Sequence, residues 1–281
     1  MPSLYVVATP IGNLEDITLR ALRVLREVEL IAAEDTRVTR RLLDRYDICT
    51  PLVSYHEHNK ISKLPMLLAA LDERNVALVS DAGTPSISDP GSELIEAAAA
   101  ASITVIPIPG PSAVTSAIAV SGLPIGSFVY LGFLPRKRTD RRKLLLSLQM
   151  NTRVLVTFET PRRLIGSLEE IRDILGDRSI VVCRELTKLY EEIFRGTVTE
   201  ALNYFERPRG EFTIVITGCR KPMQSDACQE QVVRDTLHKL WSEGVRAREA
   251  VSQVVEQSGL TRRNVYRMWL EVKEQIQSID D

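Results

Sequence analysis

The sequence predicts an α/β fold, with two α/β domains followed by a small C-terminal helical domain. Residues 1–122 alternate short apolar runs, bounded by turn residues, with segments of helical spacing, as parallel strands and their crossover helices do. Residues 123–220 mix strand and helix patterns less regularly, and residues 221–281 hold a polar linker and helical patterns. We therefore expect the three parts to be 1–122, 123–220 and 221–281, with the first boundary at a cluster of Gly and Pro.

In the first domain, four short continuous apolar runs predict buried strands, at residues 4–8, 30–33, 76–80 and 103–107. Leucines at positions 19, 22 and 25 give residues 17–28 a helical spacing. Two further segments between strands are expected to be helical, residues 92–101 and 111–120.

In the second domain, five runs predict strands, at residues 127–132, 154–158, 180–184, 192–195 and 211–217. Helices are expected between them, at residues 140–148, 162–175 and 198–205. The last two strand segments, EEIFRGT and GEFTIVIT, are candidates for antiparallel neighbours.

The C-terminal part begins with a polar segment, residues 219–230, which we expect to be a linker. Three amphipathic patterns then predict helices, at residues 231–243, 246–258 and 261–277. The stretch from 250 to 269 resembles a helix-turn-helix. In it, Tyr266 and Trp269 have the helical spacing that usually indicates core packing.

Composition excludes several classes of protein. Hydrophobic residues make up 44% and charged residues 26%, which excludes a disordered chain. The net charge of −1 provides no overall attraction for nucleic acid or anionic membranes, so any basic surface must be local. Three His and four unevenly spaced Cys, without a C-x-x-C pair, predict neither a metal site nor a disulfide framework. The N-terminus lacks a signal-peptide pattern and the most apolar stretch is interrupted, so we expect a cytoplasmic protein without membrane association.

Three loops rich in Gly, Pro or Ser follow predicted strands. The most informative is VSDAGTPSISDPG, residues 79–91, whose composition forces a long ordered turn between a strand and a helix. PIPGPS, residues 107–112, likewise lies between a predicted strand and a predicted helix. TPIGNLEDIT, residues 9–18, follows the first predicted strand but lacks the Lys and the glycine triplet of a nucleotide-phosphate loop. Ligands of open α/β sheets bind at the carboxyl ends of the strands. The loops therefore predict one shared cleft, although each also fits a purely structural turn.

Seven segments occur together in one order and at suitable spacing: TPIGNLEDITLRAL, AEDTR, SDAGTPSISDPG, PIPGPSA, FLPRK, ELTK and GEFTIVI. Over residues 4–217 they resemble the ribosomal RNA small subunit methyltransferase I family, of the tetrapyrrole-methylase-like class III fold. This resemblance implies S-adenosylmethionine in a cleft between the two α/β domains. It also implies methyl transfer to a cytidine 2′-hydroxyl in small-subunit (16S) ribosomal RNA, naked or in the assembled subunit, by a homodimer.

The resemblance further implies which residues contact the cofactor. They lie in the three loops and on two later strands: Pro10, Asp81, Gly83, Thr84, Pro85, Ser86, Ile87, Ser112, Ala113, Phe158, Phe212 and Thr213. This chain has Gly83-Thr84-Pro85 where the wider superfamily often has Gly-Asp-Pro.

Transfer of a methyl group from a sulfonium to a hydroxyl needs alignment and a group that accepts the hydroxyl proton. The leading candidates for this base are Glu34, Asp35 and Glu159, and further candidates are Asp81, Asp89, His56 and His58. Glu34 and Asp35 follow a predicted strand, so we expect one of them in the cleft. Asp35 equally suits the N-cap of the next helix, and the sequence does not choose among the candidates.

A dense basic run, RKRTDRRK, predicts a phosphate-binding surface. The candidate RNA-binding residues are Arg136, Lys137, Arg138, Arg141, Arg142 and Lys143. A solvated charged face is the alternative.

Two other functions are compatible with the residues: a methylase of a small molecule such as a tetrapyrrole, and a helix-turn-helix DNA-binding regulator with a ligand-sensing α/β domain. The basic run and the extra helical domain favour RNA over a small substrate. Residues 222–281 hold eight Lys and Arg against ten Asp and Glu, which weakens the regulator hypothesis.

Overall fold

The computed structural model describes residues 2–219, 226–258 and 261–277. The chain forms two compact units, Met1–Cys219 and Arg220–Asp281. The first unit holds two five-stranded sheets with helices packed on them, and the second is helical. The predicted α/β fold class is confirmed.

The first sheet is parallel throughout, with the strand order β3-β2-β4-β1-β5. Its strands are β1 (Ser3–Val7), β2 (Leu30–Ala33), β3 (Leu52–Ser54), β4 (Val76–Val79) and β5 (Thr104–Ile108). The helices of this part are α1 (Leu19–Glu27), α2 (Thr36–Arg45), α3 (Lys60–Glu73), α4 (Ser92–Ala100) and α5 (Ala113–Ser121). The four predicted strands are present within two residues of their expected ends, whereas β3 and α3 were not expected.

Both faces of the first sheet are covered, which explains why its strands are continuous apolar runs. In β2, Ile31 and Ala33 pack with α1 and α2, while Leu30 and Ala32 pack with α3 and α4. Helix α5 differs: it follows the first sheet in sequence, but its Val114 packs with strands of the second sheet.

The second sheet has the order β6-β7-β10-β8-β9 and is mixed. Its strands are β6 (Phe128–Phe133), β7 (Val154–Glu159), β8 (Ser179–Arg184), β9 (Glu192–Thr197) and β10 (Phe212–Ile216). Only β6 and β7 are parallel neighbours among these pairs. Three helices, α6 (Arg138–Ser147), α7 (Pro161–Leu175) and α8 (Val198–Tyr204), contribute to the core on one face.

The expected pairing of β9 with β10 is wrong. Strand β8 lies between them and is antiparallel to both. The chain makes a hairpin from β8 to β9 and returns through α8 to the opposite edge of β8, next to β7.

The second unit contains α9 (Asp226–Ser242), α10 (Ala247–Ser258) and α11 (Arg262–Gln277). The three predicted helices are confirmed, but α9 begins at Asp226, inside the expected linker, and residues 220–225 of that linker lie outside the described residues. Trp269 is buried against Trp241, with ring centroids 5.2 Å apart, whereas Tyr266 is half exposed. No helix within the described ranges is long and apolar enough to cross a membrane.

Candidate active site

The loop between β4 and α4 has an unusual backbone. Gly83 and Gly91 have φ angles of +83° and +142°, and two serines, Ser86 and Ser88, have φ angles of +67° and +66°. Positive φ disfavours residues other than glycine and costs about 1–3 kcal/mol each, so such residues concentrate at functional sites. The predicted ordered turn between a strand and a helix is confirmed.

Hydrogen bonds join this loop to the loop that follows β1. The backbone of Thr9 and Gly83 exchanges two hydrogen bonds, of 2.9 and 3.0 Å. The Thr9 hydroxyl also donates to the carbonyl of Ser80, at 3.0 Å. Two of the three motif loops are therefore held together at the carboxyl end of the first sheet.

A cavity of about 250 Å³ lies between this loop edge and the second sheet. Its wall combines the β4–α4 loop, the start of α5, and residues of β6, β7, β8 and β10. The lining residues are Ile11, Ala82, Gly83, Thr84, Ile87, Ser88, Asp89, Ser112, Ala113, Val114, Phe133, Phe158, Glu159, Thr160, Pro161, Cys183, Leu186, Glu211, Phe212 and Thr213.

The wall offers two kinds of surface. Phe158 stands edge-on to Phe133 and Tyr130, with ring centroids 5.5 and 5.4 Å away, so one part is aromatic. Ser112 caps α5 without a side-chain hydrogen bond to the helix, which leaves its hydroxyl and the first amides of α5 available to a ligand. The Ser88 and Tyr130 hydroxyls are 2.6 Å apart and link the β4–α4 loop to the second sheet.

Most of the predicted cofactor residues meet at this cavity. Eight of them line it: Gly83, Thr84, Ile87, Ser112, Ala113, Phe158, Phe212 and Thr213. The other four are not among its lining residues: Pro10, Asp81, Pro85 and Ser86. Of these, Pro10 and Pro85 are buried within the loops.

Sequence reasoning missed several wall residues, notably Ser88, Phe133, Leu186 and Glu211. A signal was present for all four, because each lies in a segment of the family pattern: Ser88 in SDAGTPSISDPG, Phe133 in FLPRK, Leu186 in ELTK and Glu211 in GEFTIVI. For Cys183, burial raises the thiol pKa to about 11, so the thiol is an apolar part of the wall at neutral pH.

The carboxylates of Glu34, Asp81 and Asp89 lie close together at the β4–α4 loop. The Asp81 amide donates to Glu34 Oε2 at 3.3 Å, and the Asp35 amide donates to Asp81 Oδ1 at 2.8 Å. Burial raises the pKa of both Glu34 and Asp81. For Asp89, burial and then the charge of Glu34 raise the pKa to about 7.

Asp35, one of the candidate bases, caps α2. Its Oδ1 accepts from the Arg37 amide at 2.8 Å, and its Oδ2 pairs with the Arg37 guanidinium at 2.6 Å. The hydrogen bonds from Arg37 lower the Asp35 pKa to about 2. A carboxylate with so low a pKa is a weak proton acceptor.

Glu159 lines the cavity, but its carboxylate is fully enclosed. It accepts from the Ser167 hydroxyl at 2.6 Å and from the Thr160 amide at 2.8 Å, and it pairs with Arg163 at 3.3 Å. These partners hold the turn from β7 into α7, so the contacts fit a positioning role.

The basic run begins just after cavity residue Phe133 and continues into α6. The Arg141 guanidinium pairs with the buried Glu170 carboxylate at 2.7 Å, and the Arg141 side chain is only 12% exposed. Arg138 pairs with the same carboxylate at 3.0 Å but is 74% exposed. Among the described residues, no salt bridge involves the other four cations of the run, which are Arg136, Lys137, Arg142 and Lys143.

Among the described residues, no group of three or more His, Cys, Asp or Glu side chains is arranged to hold a metal ion.

The two-sheet fold and its cavity define the class of this protein as a tetrapyrrole-methylase-like α/β protein. The model of the Tetrapyrrole (Corrin/Porphyrin) Methylases matches residues 3–202. The fold is similar to that of cobalt precorrin-4 methyltransferase, with a TM-score of 0.59 at 18% identity, over 76% of this chain and 94% of that one. Uroporphyrin-III-C-methyltransferase from Thermus thermophilus has a TM-score of 0.56 at 20% identity, over 76% of this chain and 94% of that one.

Curated relatives narrow the class. The protein named ribosomal RNA small subunit methyltransferase I in Synechocystis sp. is 46% identical to this chain, over 97% of this chain and 99% of that protein. The protein of the same name in Bacillus subtilis is 40% identical, over 95% of this chain and 93% of that protein. The protein of that name in Thermotoga maritima is 52% identical over 78% of this chain and 99% of its own length. The chain belongs to the ribosomal RNA small subunit methyltransferase I family, as its motifs predict.

Proposed function

We propose that this protein is an S-adenosylmethionine-dependent methyltransferase that methylates the ribose 2′-oxygen of a cytidine in small-subunit ribosomal RNA. The observation that carries the proposal is the cavity, because its wall is built from the same loops and strands that identify the family. The names of the relatives support ribosomal RNA as the substrate class.

The wall residues fit the chemistry of S-adenosylmethionine. The aromatic and aliphatic side chains Phe158, Phe212 and Ile11 suit an adenine ring. Hydroxyls of Thr84, Ser112 and Thr213 suit a ribose and an amino-acid carboxylate. Gly83 has no Cβ and brings backbone to the cavity edge.

When bound, the cofactor supplies an electrophilic methyl group on a sulfonium. The chain's residues then have to hold the acceptor hydroxyl in line, exclude water and remove one proton. The aromatic wall excludes water, and the Ser88–Tyr130 pair keeps the β4–α4 loop against the second sheet. Of the predicted bases Glu34, Asp35 and Glu159, the last two are engaged by Arg37 and Arg163. Burial raises the pKa of Glu34, but Glu34 is not among the residues that line the cavity.

For RNA binding we propose the accessible part of the basic run as the phosphate-contacting surface. It consists of the exposed Arg136, Lys137, Arg138 and Lys143 and the half-buried Arg142. Arg141, predicted with them, is better suited to holding α6 against α7 through Glu170. The run starts three residues after cavity residue Phe133, which places it next to the cavity along the chain.

We also propose that the protein is a cytoplasmic homodimer, as the family resemblance implies, with a domain boundary near residue 122. Sedimentation tests the dimer: a single 31.5 kDa species at micromolar concentration would contradict it.

The decisive experiment offers labelled S-adenosylmethionine with assembled small subunits from cells lacking this protein, with naked small-subunit RNA, or with no RNA. We expect label on a ribose 2′-oxygen of a cytidine in one of the RNA forms. Label on a base would refute the 2′-O assignment. Cofactor binding with label only in free small molecules would favour the tetrapyrrole-type methylase, and duplex DNA binding without turnover would favour the regulator.

A further inference from the structure

The two helices on one face of the first sheet carry a large excess of positive charge. Helices α1 and α2 together hold seven arginines against two acids, Glu27 and Asp44. Helices α3 and α4, which pack on the opposite face, hold two lysines against four acids. Positive charge is therefore concentrated on one face of this sheet, in a chain whose net charge is −1.

The arginines of α1 and α2 are directed away from the core. Within each helix they are spaced three or four residues apart and lie on one face, while the other face is apolar and packs on the sheet. A hydrogen bond from the Arg26 guanidinium to the Tyr46 carbonyl, at 2.9 Å, joins α1 to the end of α2. Five exposed arginines in the first six residues of α1 or α2 form what we call the arginine surface: Arg20, Arg23, Arg37, Arg40 and Arg41.

This arrangement of charge is unfavourable for the helices themselves. Arg37 and Arg41 are four residues apart on α2, where like charges repel. Arg20 and Arg37 lie in the first turns of their helices, where the helix dipole favours acids, and neither first turn holds an acid. Of the five arginines, only Arg23 and Arg37 have an ion-pair partner among the described residues. Solvated helix faces usually mix both signs of charge, so this surface fits an anionic partner better than solvent alone.

The arginine surface adjoins the cavity edge of the first sheet. Strands β1, β2 and β4 are parallel, so α1, α2 and the β4–α4 loop all follow strands that end at the same edge. The Arg37 guanidinium pairs with Asp35 at 2.6 Å, and the Asp35 amide donates to Asp81 Oδ1 at 2.8 Å. Asp81 directly precedes the cavity residues Ala82 and Gly83. Two successive contacts therefore connect this surface to the cavity wall.

We propose that the arginine surface binds backbone phosphates of the RNA substrate, an inference that rests on the proposed methylation of RNA. The basic run at 136–143 follows cavity residue Phe133 of the second sheet, whereas the arginine surface is connected to the cavity loop of the first sheet. Each sheet then contributes one cationic surface. Arginine suits this role because its planar guanidinium stays charged and donates two parallel hydrogen bonds to a phosphate. Such contacts orient the RNA without reading its sequence.

The test replaces Arg40 and Arg41 together by glutamine. A matched control, the double variant Lys63→Gln and Arg74→Gln, removes the same two charges from α3 and its C-terminal end, on the opposite face of the sheet. None of these four side chains forms an ion pair among the described residues, and none lines the cavity. Both double variants should therefore bind S-adenosylmethionine like wild type.

Binding of naked small-subunit RNA at several salt concentrations is the first readout. At about 0.1 M salt, we expect the Arg40→Gln and Arg41→Gln variant to bind about tenfold more weakly than wild type. The slope of log affinity against log salt should become shallower by about one to two, because fewer counterions are released when phosphate contacts are lost. The control should keep the wild-type slope, and so should Arg40→Lys with Arg41→Lys, which retains both charges.

Two further readouts distinguish phosphate binding from a structural role. In methyl transfer at saturating S-adenosylmethionine, the KM for RNA should rise in the Arg40→Gln and Arg41→Gln variant while kcat stays within about twofold of wild type. The melting temperature of this variant should stay within about 2 °C of wild type, because the substitutions remove no ion pair found among the described residues and relieve repulsion between cations.

The outcomes separate the inference from the proposed function. Wild-type RNA affinity and salt slope in the Arg40→Gln and Arg41→Gln variant would overturn the inference alone. Weaker binding of assembled small subunits with unchanged binding of naked RNA would also overturn it, because the partner of the surface would then be an acidic protein. A wild type that binds RNA through these arginines but transfers no methyl group to it would overturn the proposed function and leave the phosphate contact in place.

Discussion

Replacing Gly83 with valine should separate the cofactor site from the rest of the fold. Gly83 has a φ angle of +83° and lines the cavity, and its backbone exchanges two hydrogen bonds with Thr9. A matched control is available in Gly122, which ends α5 with a φ angle of +71° and does not line the cavity. Both positions have the same kind of backbone, but only one is at the proposed site.

The expected loss of stability follows from the backbone and not from crowding. A Cβ at Gly83 would meet Ile11 Cγ2 at 3.6 Å and the Pro111 carbonyl at 4.0 Å, which are ordinary contacts. At Gly122 a Cβ would meet nothing within 4 Å. Each valine therefore costs about 2 kcal/mol for its positive φ, which lowers the melting temperature by roughly 4–8 °C in a unit of this size.

Cofactor binding should respond differently. If φ at residue 83 relaxes in the valine variant, the Thr84 amide turns and the two backbone hydrogen bonds with Thr9 break. We therefore expect Gly83→Val to lose at least about tenfold in affinity for S-adenosylmethionine, or about 1.4 kcal/mol. Gly122→Val should bind like wild type. Isothermal titration on both folded variants, with melting followed by circular dichroism, measures the two effects. Equal affinities in the two variants would refute this reasoning and place the cofactor elsewhere.

Three further predictions concern the stability of the fold. Glu170→Gln should lower the free energy of urea unfolding at pH 7 by about 3 kcal/mol, because it leaves the inward-facing Arg141 guanidinium without its carboxylate. Since Arg141 lowers the Glu170 pKa, the difference in stability between variant and wild type should shrink as the pH falls below about 4.5. A difference that does not change with pH would contradict the ion pair. Asp89→Asn should be more stable than wild type at pH 8, by about 2 kcal/mol after allowance for partial exposure. Because the Asp89 pKa is raised to about 7, wild type loses stability as the pH rises from about 4 to about 7, and the gain should vanish at pH 4. Equal unfolding curves at pH 8 would show that the ionised Asp89 carboxylate does not destabilise the fold. Trp269→Ala should lower the stability of the helical unit by about 3–5 kcal/mol, because Trp269 is buried against Trp241. Tyr266→Ala, at a half-exposed position of the same helix, is the control. Equal losses of stability in thermal unfolding of the two variants would contradict the packing.

Much of the fold could be predicted because its strands carry a simple pattern. Strands β2 and β4 are buried along their whole length, so each is a continuous apolar run bounded by turn residues. Strand β3 has only three half-buried residues and gives no such signal. Helix α3 was missed for a related reason, because Ile61 is 79% exposed and Pro65 lies inside the helix, which blurs its apolar face.

The site was predictable only in part. Loop composition indicated where a ligand binds, and eight of the twelve expected cofactor residues line the cavity. The roles of the acids were not predictable. Glu159 is the last residue of β7 and Asp89 lies in the loop after β4, and the sequence alone does not distinguish the surroundings of the two carboxylates. Their difference lies in neighbours: Ser167 and Arg163 occupy Glu159, whereas Asp89 is near Glu34 and Asp81.

The sequence by itself determined the fold class, the family and the location of the cleft, because apolar periodicity and turn-forming loops are local properties of the chain. Only the tertiary structure decided that β8 separates β9 from β10, that Arg141 is bound inward by Glu170, and which carboxylate faces the cavity without a basic partner among the described residues. Strand order and pKa depend on groups distant in sequence, and folding alone brings those groups together.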